Sequence, residues 1–332
     1  MQTRVTKEIK RFGKRMMMSP VWNPLVFKTL TGFRKASAQL DKLSHRWVPW
    51  GEVSVRYGGL DLKLYSEADE GVLVRMLHGM EWEEPDFFTL SVIAKHCGTI
   101  LDVGANTGIF ALGAALSNPD CRIHAFEPFP VNAARMRKNL EINKVSNVTI
   151  HPEAVGQKSS KLTLNFPKGN HIEGAISING NFTSHFSQED CEAHEVQQVS
   201  LDEFVREHSL GDVRAIKLDV EMHELAVLEG ARDLLESQKP VVLCEVIFPE
   251  RMLAEHPELD DVIDHQHHEK IWDFFHSLGY TAYLVTDEGL LKVPSLSASP
   301  KSKPNYLFSP KSIEGYLIPI EQLSDRVSEL LN

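Results

Sequence analysis

Two rhythms of apolar and polar residues run along this chain. In GEVSVRYGGLDLKLYS (51–66) the alternation has a period of two on both sides of Gly58-Gly59, which predicts a β-hairpin. From residue 86 onward, short apolar runs alternate with stretches of helical period. The pattern predicts a helix over 86–96, the strand TILDVG (99–104) and the helix IFALGAALS (109–117). The strand RIHAFE (122–127), a helix over 130–143 opened by Pro130 and the strand NVTIHPEAV (147–155) follow. Between 157 and 200 the rhythm changes: KLTLNF and EVQQVS read as short antiparallel strands around a Gly/Asn-rich loop. Then come a short helix LDEFVREH, the strand VRAIKLDV, and a helix whose Val227, Leu228, Ala231, Leu234 and Leu235 share one face. VVLCEVIF (241–248) reads as a strand, HHEKIWDFFHSLG (267–279) as a helix, and YTAYLV (280–285) and NYLFSP (305–310) as further strands.

Strand and helix in alternation, with apolar strands, predict an α/β fold built on a doubly wound, mostly parallel sheet. Ligands of such sheets bind beyond the carboxyl ends of the strands. The residues there are DVGANTG (102–108), Glu127, Glu153, Asp219 to His223, and Glu245, so successive strands deliver an acid to one edge. In the loop, Gly104 and Gly108 bracket Asn106 in a GxNxG turn, where a dinucleotide enzyme would usually show GxGxxG. Asp102 at the loop entrance suits a cationic or amino-bearing ligand better than a diphosphate. Glu127 ends the next strand, where it can accept hydrogen bonds from ribose hydroxyls.

Composition adds bounds. With 332 residues, 42% hydrophobic and 24% charged, the chain suits one large folded domain with appendages. Cys97, Cys121, Cys191 and Cys244 form no CxxC and read as free thiols of a reducing compartment. No apolar run approaches the roughly 18 residues of a membrane span. Residues 1–47 hold eleven Lys/Arg against two Asp/Glu, +9 in all, so the rest carries −20 of the total −11. The acidic body argues against nucleic acid as a partner. The basic arm, interleaved with Met, Trp, Leu and Phe, suits an anionic membrane surface or self-association into a homodimer. A cytoplasmic protein, peripheral on the inner membrane face if the arm binds lipid, is the expectation.

LDVGANTGIFAL and AFEP resemble motifs of class I S-adenosylmethionine-dependent methyltransferases. IKLDVEMHELAVLEGA, P-VVLCEV and NYLFSP, with EWEEP (81–85) and AVG (154–156), resemble the FkbM family within that class. The resemblance covers roughly 80–310. It implies a Rossmann-like seven-stranded sheet, S-adenosylmethionine as donor, and methyl transfer to an oxygen of a sugar, glycan, polyketide or other small-molecule acceptor. On that reading Gly104, Asn106 and Gly108 wrap the methionine part of the donor, Asp102 belongs to the same cofactor site, Glu127 holds the ribose and Glu153 reaches the adenine edge. Asp219, Glu221 and His223 face the methyl group, with His223 as general base and Asp219 as its orienter or as the base itself. One residue departs from the pattern: Met222 stands where the family commonly has glycine after DVE. The domain organisation expected is a basic, helical arm (1–50), the hairpin and lead-in (51–80), the methyltransferase domain (81–312) and a helical tail (313–332). The rival readings are a nicotinamide-dependent oxidoreductase and a non-catalytic interaction protein with a vestigial site.

Two further expectations concern single residues. Lys217 and Glu245 interrupt apolar strands, and unpaired charge there is costly, so they are expected to pair or to share a polar network. DHQHHEK (264–270) invites a metal reading through Asp264 and His268, but reads better as the exposed start of an amphipathic helix.

Overall fold

The computed structural model describes residues 50–67, 73, 76, 83–167, 191–255, 257, 260–261, 263–298, 305–313 and 317–331. The basic arm and the Gly/Asn-rich loop lie outside them. The chain divides into two compact units, Met1–Glu83 with Glu141–Lys144, and Glu84–Leu140 with Val145–Asn332.

In the first unit, β1 (Trp50–Tyr57) and β2 (Leu60–Glu67) pair antiparallel from Tyr57↔Leu60 to Trp50↔Glu67. Gly58 and Gly59 both take positive φ, +52° and +80°, the twist a two-residue hairpin turn demands. The period-two pattern turns Val53, Val55, Leu62 and Leu64 to a buried face. Asn143 holds β2 from the side, accepting from Lys63 N at 3.0 Å and donating to Lys63 O at 2.6 Å.

The second unit begins with α1 (Glu84–Ala94) and carries a nine-stranded sheet. Its parallel part runs β5-β4-β3-β9-β10 and comprises β3 (Thr99–Val103), β4 (Arg122–Phe126), β5 (Val148–His151), β9 (Val213–Leu218) and β10 (Val241–Glu245). The strand β13 (Asn305–Ser309) enters antiparallel between β10 and β11 (Thr281–Thr286). These seven strands match the expected sheet, and two more extend it: β12 (Gly289–Lys292) and β14 (Leu317–Pro319). The turn Asp287-Glu288 folds the chain back on β11, and the Gly289 backbone comes so close to Ile318 that a Cβ there would overlap its carbonyl. Crossovers are α2 (Ile109–Ser117) and α3 (Pro130–Ile142).

Two elements differ from the sequence expectation. The strand expected over 147–155 breaks at Pro152, which has no N–H for a ladder, into β5 and β6 (Ala154–Val155). β6 joins a separate three-stranded sheet with β7 (Ser160–Pro167) and β8 (Cys191–Val199), where the expected antiparallel pair forms. The helix expected after the rim is two helices, α5 (Glu224–Glu229) and α6 (Arg232–Ser237). A Cβ on Gly230 would overlap the Gly156 carbonyl, so glycine permits a close approach at the break. Asp202, in α4 (Leu201–Glu207), restarts the helix by accepting from Asp233 N at 3.1 Å and Leu234 N at 2.8 Å. After α7 (Pro249–Glu255), α8 (His267–Ser277) buries Ile271 and Phe275. Phe275 stacks on Phe308 of β13 at 3.9 Å, inside a core that includes Leu101, Ile216 and Val242. The chain closes with α9 (Leu323–Leu331).

Candidate active site at the strand ends

The glycine loop leaves β3 with Gly104, Asn106 and Gly108 all at positive φ, +79°, +51° and +78°. Glycine is required at both ends. A Cβ on Gly104 would overlap the Asp219 carbonyl, and one on Gly108 would overlap Met136. The loop is bonded to both neighbouring strands: Gly104 N and Ala105 N donate to Phe126 O at 3.1 and 2.9 Å, and Asp219 N donates to Val103 O at 3.1 Å. The sequence-predicted loop and the Asp219 rim are therefore one structure.

Glu127 is 3% exposed, and its two oxygens accept from Asn106 N and Phe129 N, each at 2.8 Å. It braces the glycine loop from the next strand end, and with the Asn132 side chain as a third hydrogen-bond partner one acceptor site of the carboxyl remains. Burial pushes its carboxyl up to about 7, against the pull of those amides and of Asn132. Asp102 is fully buried at the register position opposite Lys217, and burial raises it to about 6 despite the lysine's charge. Glu153 sits beyond the end of β5, raised by partial burial, with only His208 as a charged influence; it is the one predicted site residue with no described contact to the loop or the rim. Among the polar atoms at this edge, Asn106 Oδ1 and Glu153 Oε2 are buried with no hydrogen-bond partner among the described residues.

Lys217 is the charge around which the rim is arranged. Its side chain is 7% exposed, its Nζ lies 2.8 Å from Asp219 Oδ2, and it stands 4.5 Å above the Phe110 ring. Asp219 in turn hydrogen-bonds the Glu245 side chain. A bond between two carboxyl groups holds one proton between them. Burial works to raise Asp219, but the Lys217 ammonium and these bonds hold it below the usual carboxylate range. Lys217 and Glu245 thus share a network, as expected, with Asp219 as the link. Glu221 and Met222 follow at φ +52° and +71°, and Met222 packs beside an apolar cluster of Ile247, Met252 and Ile263. His223 caps α5 without a side-chain cap bond; burial holds its imidazole below the ordinary histidine value, with Glu224 opposing and His267 adding to the shift.

One reading of the sequence is corrected. His267 and His268 do not begin an exposed helix face: they are 3% and 7% exposed. His267 Nε2 lies 2.7 Å from Glu224 Oε2, the His268 ring packs 4.8 Å from Phe248, and Asp264 pairs with Lys270 at 2.7 Å. Partners from elsewhere in the chain override the surface pattern that a local window suggests. Among the described residues no group of three or more His, Cys, Asp or Glu side chains is arranged to hold a metal ion.

Strand order, the tight glycine turn and acids at the strand ends define the class I methyltransferase fold. Within that class, residues 102–282 match the methyltransferase FkbM domain, and the chain belongs to that family. It is 30% identical over 155 residues to the 31-O-demethyl-FK506 methyltransferase FkbM of Streptomyces tacrolimicus, covering 40% of this chain and 59% of that protein. It is 29% identical over 153 residues to the hexuronic acid methyltransferase AglP of Haloferax volcanii, covering 45% of this chain and 56% of that one. The chain thus spans little more than half the length of either relative. Among solved structures, the methyltransferase FkbM from Methylobacillus flagellatus KT is 15% identical with a TM-score of 0.35, over 86% of this chain and 58% of that one.

The donor this family implies is S-adenosylmethionine, and the residues present fit it. The Gly104 turn offers backbone where a side chain would fill the space, and Asn106 Oδ1 and Glu153 Oε2 are unspent acceptors. Asp102 and Asp219 act on a single lysine and Glu245 joins through Asp219, a set of acids that suits a cation.

Proposed function

We propose that the chain transfers a methyl group from S-adenosylmethionine to a hydroxyl oxygen of a sugar, glycan, polyketide or other small metabolite. One observation carries the reading. At the carboxyl ends of three adjacent strands, Asp102 and Asp219 act on Lys217 and Glu245 joins them through Asp219, directly against the glycine loop. When bound, the donor supplies an electrophilic methyl on a sulfonium, whose positive charge disappears as the methyl departs.

Acids that outnumber the lysine hold a cation in place. Gly104, Asn106 and Gly108 shape the bed for the methionine part, Glu127 offers its remaining lone pair to a ribose hydroxyl, and Glu153 offers Oε2 to the adenine edge. Asp219 and Glu221 orient the acceptor hydroxyl. The proton released as the oxygen–carbon bond forms is taken by His223, whose lowered pKa keeps the imidazole neutral at pH 7, or by the Asp219–Glu245 pair. The family relation favours methyl transfer over the nicotinamide reading of the loop, and the hexuronic acid relative makes uronic acid glycosides sensible first acceptors to try. Calorimetric titration with S-adenosylhomocysteine, followed by an acceptor screen with labelled donor, tests the proposal. No binding of S-adenosylhomocysteine by folded protein would reject it.

A further inference from the structure

The two residues after Asp219 and Val220 are held in an uncommon backbone conformation. Glu221 and Met222 are consecutive, neither is glycine, and both take left-handed φ. Such residues cost roughly 1–2 kcal/mol each and persist only where the surroundings over-determine them. One buried side chain holds the backbone on both sides of the step. Glu224 Oε1 accepts from Val220 N and from Met222 N, each at 3.2 Å, so the two bonds bracket the strained step. Glu224 is wholly buried, and a buried carboxyl needs partners on both oxygens. The second partner comes from another element: Oε2 meets His267 Nε2 at 2.7 Å. With the carboxylate accepting from all three, that ring nitrogen carries the proton.

We infer that His267 is a positioning residue for the acceptor side of the site: acting through Glu224, it fixes the loop 219–223 that carries Asp219, Glu221 and His223. The inference rests on the proposal that this loop faces the acceptor. His267 touches none of those three side chains through a described hydrogen bond; it opens α8, and its backbone N is fixed by Asp264 O at 3.0 Å. The bond therefore ties the rim to a helix 43 residues further along. Methyl transfer depends on in-line placement, where a shift of about 1 Å can cost a hundredfold in rate.

Hydrogen exchange at Val220 and Met222 reads the clamp directly, and titration with S-adenosylhomocysteine reads the donor half. In His267→Ala, exchange at these two amides rises tenfold or more, exchange over 104–108 is unchanged, and S-adenosylhomocysteine affinity stays within twofold. His267→Gln, which can still donate to Glu224, restores protection. With labelled donor and an acceptor that the wild type methylates, kcat falls tenfold or more in the alanine variant while the donor KM holds. Unchanged exchange in His267→Ala, a glutamine variant as unprotected as the alanine one, or donor affinity lost together with protection at 104–108 would overturn the inference. Should the alanine variant not fold, the wild type supplies the test: nitrogen-resolved spectra must show the His267 proton on Nε2, and a proton on Nδ1 alone would overturn it. Absence of S-adenosylhomocysteine binding in the wild type would reject the proposed function and leave the exchange result to judge the clamp.

Discussion

Replacing Lys217 with methionine keeps an unbranched side chain, shorter by the terminal nitrogen, and removes its charge. At 2.8 Å and an effective dielectric of about 20, the Lys217–Asp219 attraction is about 6 kcal/mol before desolvation is counted. Breaking a buried pair from one side typically costs about 3–5 kcal/mol, because the partner stays behind uncompensated. Here the acids left behind are Asp102, Asp219 and Glu245. The loss must depend on pH, with a definite sign. Asp102 already has a folded value, about 6, above its unfolded one, so the folded state binds the extra proton and stability falls as pH rises through that interval. Without the lysine its value rises further, and Asp219, now held low, loses the charge that holds it there. Both changes widen the interval in which folding takes up protons. Urea unfolding should therefore show Lys217→Met destabilised by about 3–5 kcal/mol at pH 8, with the deficit shrinking below pH 6. An equal deficit at pH 8 and pH 5 would show that the lysine acts through packing on Phe110, and the electrostatic account of the rim would fall.

Asp219→Asn is expected to cut single-turnover methyl transfer far more than donor affinity; the reverse pattern in a folded variant would move Asp219 into the donor site. Glu127→Ala leaves the Asn106 and Phe129 amides without their acceptor, and titration should show donor affinity weakened ten- to hundredfold, about 1.5–3 kcal/mol. The ratio of S-adenosylmethionine affinity to S-adenosylhomocysteine affinity should fall as pH drops below about 6, because protonated Asp102 no longer favours the sulfonium; a flat ratio from pH 8 to 5 refutes this role. If His223 is the base, the acid limb of the pH–rate profile lies below 6.5 and disappears in His223→Ala.

The parallel strands were legible because short runs such as TILDV and VVLC are buried throughout. The site edge followed, since acids and glycines after such runs have few structural reasons to be there. Other features depended on partners that a local window does not contain. Gly230 looked like an interior helix residue until Asp202 proved to cap the turn beyond it. Pro152 divides one apolar run between two sheets. The short β12 and β14 have little pattern of their own and form because each finds an edge to extend. His267 reads as solvent-facing in its own heptad, and only the fold brings Glu224 to it. The departure at Met222 was visible as an identity; its left-handed backbone was not.

The placement of β13 has a consequence for how the chain can be made. The strand lies between β10 and β11 with partners on both sides, Val242↔Phe308 on one and Ala282↔Phe308 on the other. Until Asn305–Ser309 arrive, β11 has no place in the sheet and β10 has an open edge. A ribosome adding about 5–20 residues per second exposes that edge for seconds after β10 emerges. Unpaired interior strands invite pairing with other chains. The interval between residues 245 and 305 is therefore when a nascent chain most needs a chaperone, and a stop codon after β12 but before Asn305 leaves β11 and β12 with no strand to join them to β10 rather than a shortened enzyme.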